Sequence, residues 1–121
     1  MIIEDDIELL GTLKDVFENE GFEVVAYADR NSIKGVIINK PDILLLDNKL
    51  RDGFGYELCE QIKANELTKR IPVILTSGYH DLPELAAHSG ADAYIEKPFD
   101  LHKLIKLVKA HLHIEEASHA V

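Results

Sequence analysis

The chain has 121 residues, 46% hydrophobic and 29% charged, which suits one domain with a single buried core. Its formal net charge of −9 argues against broad, charge-driven binding to nucleic acid or anionic membrane, though it does not exclude a small positive site. A lone cysteine, Cys59, rules out an intrachain disulfide and suits a reducing compartment.

No apolar run is long enough to span a membrane, and the N-terminus shows no basic segment followed by an apolar one. The expectation is a cytoplasmic protein, or the cytoplasmic piece of a larger one. In chain order, Ile2-Ile3 reads as a first strand, and Glu4, Asp5 and Asp6 follow it directly. Only Ile2 and Ile3 separate Met1 from Glu4, so this strand reads as clipped, as in a chain that lost leading residues or was cut from a longer protein. Leu9, Leu10, Leu13, Val16 and Phe17 form a helical stripe that Gly21 closes as a C′ residue.

Val24-Val25-Ala26 is the second strand, and 31–39 a weaker helix with Gly35 in its middle. Ile43–Leu46, after Pro41, and Val73–Leu75, after Pro72, are continuous apolar runs, the pattern of strands buried on both faces. Between them, 56–65 reads as a helix with Leu58 and Ile62 inward and Cys59 as a small core residue. Segment 82–89 is a short helix, with Asp81 as its cap, Pro83 in the first turn and Glu84 as the capping-box acid. Ala93-Tyr94-Ile95 is the fifth strand. Leu101, Leu104, Ile105, Val108 and Leu112 mark the last helix. The domain is expected over 1–113, with 114–121 as a tail or the start of a linker.

Alternating strands and helices imply a parallel sheet covered by helices on both faces, with ligands bound beyond the C-terminal strand ends. Those ends carry Glu4-Asp5-Asp6, then Asp47, then Thr76-Ser77, then Lys97-Pro98. Carboxylates without clustered His or Cys favour a hard cation, Mg²⁺ or Mn²⁺. A lysine and a hydroxyl beside it suit phosphoryl oxygens, and one carboxylate is then free to act as nucleophile. Asp47 is the best candidate, because the third strand is usually central. On this reading the crowded acids form a cation site, and repulsion among them is relieved only when metal arrives.

Four stretches, "IIEDD", "PDILLLDNKLRDGFGYEL", "PVILTSG" and "GADAYIEKPF", resemble in order the motifs of the response-regulator receiver domain of two-component signalling. The resemblance covers roughly residues 2–112. It implies a flavodoxin-like α/β fold with strand order 2-1-3-4-5 and phosphotransfer from a phosphohistidine on a histidine kinase or phosphotransfer protein. It also implies a signalling domain rather than an enzyme, beyond self-catalysed phosphotransfer and autodephosphorylation.

By that resemblance Asp47 is the phospho-acceptor. Asp5 binds Mg²⁺ directly and Glu4 through water, and the backbone carbonyl of Lys49 is a further ligand. Thr76 hydrogen-bonds the phosphoryl group and Lys97 pairs with it. Tyr94 is the switch aromatic, and Lys97-Pro98 the place of a cis peptide. Arg51 departs from the family's usual proline, and Lys49 and Ser77 flank the path of attacking water.

Plainer readings stand beside these. Asp6 suits a helix N-terminal acid, Tyr94 suits ordinary packing, and the cations of "HKLIKLVK" suit a solvated helix face. Leu107 and Ile114 fall outside the main stripe of the last helix, so exposed apolar side chains are expected there, beside Tyr94, as a homodimer or effector surface. The competing function is a protein-interaction module on the same fold that does not switch. A phosphohydrolase would need a second Asp where Lys49 stands, and a flavin carrier would need a phosphate loop where Glu4-Asp5-Asp6 repel phosphate.

Overall fold

A computed structural model describes residues 1–29, 33–78 and 82–113. The elements are β1 (Ile2–Ile3), α1 (Ile7–Asn19), β2 (Ala26–Tyr27), α2 (Ile33–Asn39), β3 (Leu44–Asp47), β4 (Lys49–Leu50), β5 (Gly53–Phe54), α3 (Gly55–Ala64), β6 (Val73–Ser77), α4 (Leu82–Ser89), β7 (Ala93–Glu96) and α5 (Leu101–His111). Five of the strands form one parallel sheet in the order β2-β1-β3-β6-β7. With β4 and β5 left out of the count this is the expected 2-1-3-4-5 order of the flavodoxin-like fold.

The continuous apolar runs are explained by the two cores. Leu44, Leu46, Val73, Leu75 and Ile3 point to one face, against Val36 of α2, Leu58, Cys59 and Ile62 of α3 and Ala86 of α4. Leu45, Ile74 and Ile2 point to the other, against Leu13 and Phe17 of α1 and Leu104 and Val108 of α5. Successive strand residues alternate between faces, so a strand covered on both sides needs apolar residues at every position. Cys59 is fully buried and its thiol donates to the Ser89 carbonyl at 3.5 Å. Burial pushes that thiol's pKa up, as for a packing residue rather than a reactive one.

Local chemistry sets the ends of α1. Asp6 Oδ1 accepts the Glu8 and Leu9 amides at 3.1 and 3.2 Å, which makes it the N-cap. Gly21 takes φ +94°, and the Gly21 and Phe22 amides return to the carbonyls of Glu18 and Phe17 at 3.0 Å. The edge-on contact of Phe17 with Phe22 closes that end.

The expected boundaries shift by a residue or two at several places. The helix expected over 56–65 runs Gly55–Ala64, and the strand expected over 24–26 pairs at Ala26–Tyr27. The antiparallel hairpin of β4 and β5 was not expected, because "KLRDGF" has no alternating pattern. Leu107 is a correction. It is half-buried and packs against the α1/α5 core, because α5 also adjoins α1, whose Glu20 meets Lys109 at 2.9 Å. Its apolar face is therefore wider than one stripe. Asp81, Ile114 and the 114–121 tail lie outside the described residues. Among the described residues, no helix is long and apolar enough to cross a membrane.

Candidate functional site

Register brings the distant residues together. Asp47 closes β3 opposite Thr76 of β6, and Ser77 stands opposite Glu96 of β7. The Lys97 amide donates to the Ser77 carbonyl at 2.9 Å, and the Asn48 amide to the Thr76 carbonyl at 2.8 Å. β1 sits between β2 and β3, so Glu4, whose amide bonds the Tyr27 carbonyl, leaves the sheet beside Asp47. The result is a cleft of about 530 Å³ lined by Glu4, Asp5 and Asp47 with Lys49, Arg51 and Lys97.

Glu4, Asp5 and Asp47 each offer a carboxylate oxygen, and the three lie within 4.8 Å of one another. Glu4 and Asp47 are almost fully buried, at 2% and 4% exposure. Lys97 Nζ reaches Glu4 Oε1 at 2.7 Å and Asp47 Oδ1 at 3.3 Å. Lys97 is therefore a cation of the protein's own inside the acid cluster, and it relieves part of the repulsion there. That modifies the sequence expectation.

Burial drives the Asp47 carboxyl up to about 7, helped by its hydrogen bond to Glu4 and Glu4's negative charge, while Lys97 opposes the shift. For Lys97, burial pulls down, but the hydrogen bond to Glu4 and the Asp47 charge outweigh it and raise the ammonium's pKa. Three oxygen donors, Glu4 and Asp47 buried and Asp5 half-exposed, with the Asp47 carboxyl pushed up to about 7, fit a hard divalent cation that can displace a proton.

Thr76 is buried at 3% exposure, and beside it Ser77 and Gly78 form that wall of the cleft. Tyr94 is 44% exposed on β7, its ring outside the core. The Lys97-Pro98 bond is cis, at the place the resemblance implied. Lys49 opens the hairpin and faces solvent at the cleft's rim.

Sequence reasoning missed Asn48 and Gly55. Asn48 is buried at 2% exposure; its carbonyl accepts the Gly55 amide at 2.6 Å and its Oδ1 accepts the Tyr56 amide at 3.0 Å. A glycine between a strand-like segment and a helix was a usable signal for a close approach. Asn48 carried none.

Residues 1–109 match the family model described as the response regulator receiver domain. The chain belongs to that family. The receiver is 34% identical over 113 residues to the transcriptional regulatory protein YxdJ of Bacillus subtilis (strain 168), covering 93% of this chain and 49% of that protein. The receiver thus spans about half the length of that curated relative. A putative response regulator from Chloroflexus aurantiacus superposes with a TM-score of 0.86 at 30% identity, covering 93% and 94% of the two chains. The receiver domain of the sensor histidine kinase PA1611 from Pseudomonas aeruginosa shares the fold with a TM-score of 0.83 at 22% identity, covering 93% and 94% of the two chains. Its crystal structure has a magnesium ion coordinated in the active site cleft.

Proposed function

We propose that this receiver accepts a phosphoryl group on Asp47 from the phosphohistidine of a histidine kinase or phosphotransfer protein, in the cytoplasm, and switches its Tyr94 face in response. The observation that carries this reading is the meeting of Asp47 with Glu4, Asp5 and Lys97 in one cleft. An Asp47 oxygen attacks phosphorus, the phosphorus–nitrogen bond breaks, and the departing imidazole takes a proton from solvent. The donor set suits Mg²⁺ or Mn²⁺, which Asp5 and Asp47 would hold, with Glu4 acting through water and the Lys49 carbonyl as a further ligand. When bound, such a cation neutralises charge on the phosphoryl oxygens; the magnesium in the PA1611 receiver is in keeping with this.

Lys97 supplies a fixed positive charge to the same oxygens, leaving Glu4 as it does so. Thr76 moves toward the phosphoryl group, and Tyr94 turns into the space it vacates. Moving a two-state equilibrium from 1:99 to 99:1 takes about 5.5 kcal/mol of discrimination. New charge-assisted bonds contribute about 1.5–3 kcal/mol each; Thr76 gains one outright, whereas Lys97 exchanges its bond to Glu4 for one to the phosphoryl group, so the two supply part of it. The face around Tyr94 and α5 is the proposed effector or homodimer surface, without Leu107. The domain is proposed to end near residue 113, shortly after α5.

Acetyl phosphate or phosphoramidate in Mg²⁺ should label the parent in a form stable to acid and labile to base or hydroxylamine, and Asp47→Asn should take no label. Label retained by Asp47→Asn would put the acceptor on another carboxylate. A parent that takes no label would favour the non-switching interaction module.

A further inference from the structure

The acceptor loop is held at one point. Asn48, next to Asp47, makes three bonds at once: its amide to the Thr76 carbonyl at 2.8 Å, its carbonyl from the Gly55 amide at 2.6 Å, and its Oδ1 from the Tyr56 amide at 3.0 Å. The last bond stands in for a missing cap, since Phe54 occupies the N-cap position of α3 and has no side-chain acceptor. The bond to Gly55 closes the base of the Lys49–Phe54 hairpin. Gly55 is itself pressed against the acceptor strand. A β-carbon placed there would overlap the Asp47 carbonyl oxygen and sit 3.1 Å from the Asn48 α-carbon.

We propose that Asn48 and Gly55 form a latch that positions the two groups on either side of Asn48, the Asp47 carboxylate and the Lys49 carbonyl, for cation binding and phosphoryl uptake. This rests on the role proposed above for Asp47. The chain leaves β3 at Asp47, passes through Asn48 and enters the hairpin at Lys49. Any displacement of Asn48 therefore moves both groups. β6 holds the segment from one side through the Thr76 carbonyl, and α3 holds it from the other through two amides. Neither Asn48 nor Gly55 lines the cleft, so both act through their neighbours.

The experiment compares Asn48→Ala with Val108→Ala. Val108 lies in the α1/α5 core and lines a separate pocket that includes Met1 and Val24. Its truncation lowers stability without touching the loop. Both proteins are measured at a temperature where each is fully folded, for Mg²⁺ dissociation constant by titration calorimetry and for rate of labelling by phosphoramidate at saturating Mg²⁺. Loss of a partner that orients a ligand typically costs ~10–100-fold in metal affinity. Asn48→Ala should weaken Mg²⁺ binding by about 10-fold and slow labelling at saturating Mg²⁺, while Val108→Ala keeps parental values for both. Gly55→Ala, if it folds, should follow Asn48→Ala. If Asn48→Ala loses stability like Val108→Ala yet binds Mg²⁺ and takes label as the parent does, the pair is structural only and the proposal is overturned. Should the parent itself take no label, the acceptor reading fails, while the Mg²⁺ comparison still decides the latch.

Discussion

Lys97 lies closer to Glu4 than to the proposed acceptor: its ammonium is 2.7 Å from Glu4 Oε1 and 3.3 Å from Asp47 Oδ1. The lysine serves as counter-ion to a carboxylate that is 2% exposed. Removing one partner of a buried pair leaves the other charge uncompensated. Lys97 keeps about a quarter of its side chain in solvent, so the loss falls below that of a fully buried pair. Lys97→Met should destabilise the metal-free protein by about 1–3 kcal/mol in urea denaturation. Mg²⁺ should recover part of that loss. An unchanged midpoint in EDTA would show that Glu4 does not depend on the lysine.

The raised Asp47 pKa has a defined stability consequence in EDTA. The carboxyl titrates near 3.8 in the unfolded chain and near 7 when folded. Its contribution is full below about pH 4 and is lost as pH rises to 7, because the unfolded chain releases the proton first. The Met1 amine, lowered to about 6 mainly by burial, acts oppositely: its contribution is present above pH 8 and lost as pH falls through 6. The difference between parent and Asp47→Asn isolates the carboxyl. The two should melt together near pH 4, and Asp47→Asn should melt higher at pH 8, by on the order of 5 °C. Equal melting temperatures at pH 8 would contradict the shift.

Metal should reverse part of that loss. Mg²⁺ held in the folded cleft should raise the melting temperature by mass action. Asp5 is half-exposed and adds a third carboxylate within 4.8 Å. Asp5→Asn should therefore blunt the Mg²⁺ gain and modestly stabilise the protein in EDTA, where like charge is removed. A metal-free Asp5→Asn less stable than the parent would refute the repulsion argument. Thermal melts with and without 10-fold excess metal over the dissociation constant read both effects.

The parts of this structure written in local chemistry were legible in the sequence. Pro-flanked apolar runs marked β3 and β6, Gly21 marked the end of α1, and the strand-end residues pointed to the cleft where Glu4, Asp5, Asp47 and Lys97 meet. What was not legible depends on contacts across the fold. Leu107 was expected in solvent because one stripe was counted, but α5 packs on α1 as well as on the sheet. The hairpin has two-residue strands, too short for a period to register. Asn48 gains its three bonds only when β6 and α3 arrive beside it. The place of Lys97 against Glu4 is set by a contact spanning 93 positions, and no pattern along the chain announces which acid it prefers.

The switch itself can be read with one reporter. The chain contains no tryptophan, and Tyr94 is 44% exposed on β7. Tyr94→Trp puts a single fluorophore at the position proposed to turn inward. A large aromatic at a half-exposed site on this strand keeps the packing of its buried edge, so stability should stay within about 0.5 kcal/mol of the parent. On phosphoramidate treatment in Mg²⁺, the emission should shift to shorter wavelength and acrylamide quenching should fall, as the ring leaves water. The same reporter with Asp47→Asn should show neither change. A labelled protein whose tryptophan stays as exposed as before would mean that Asp47 takes phosphate without moving this face, and the receiver's output would have to leave by another surface.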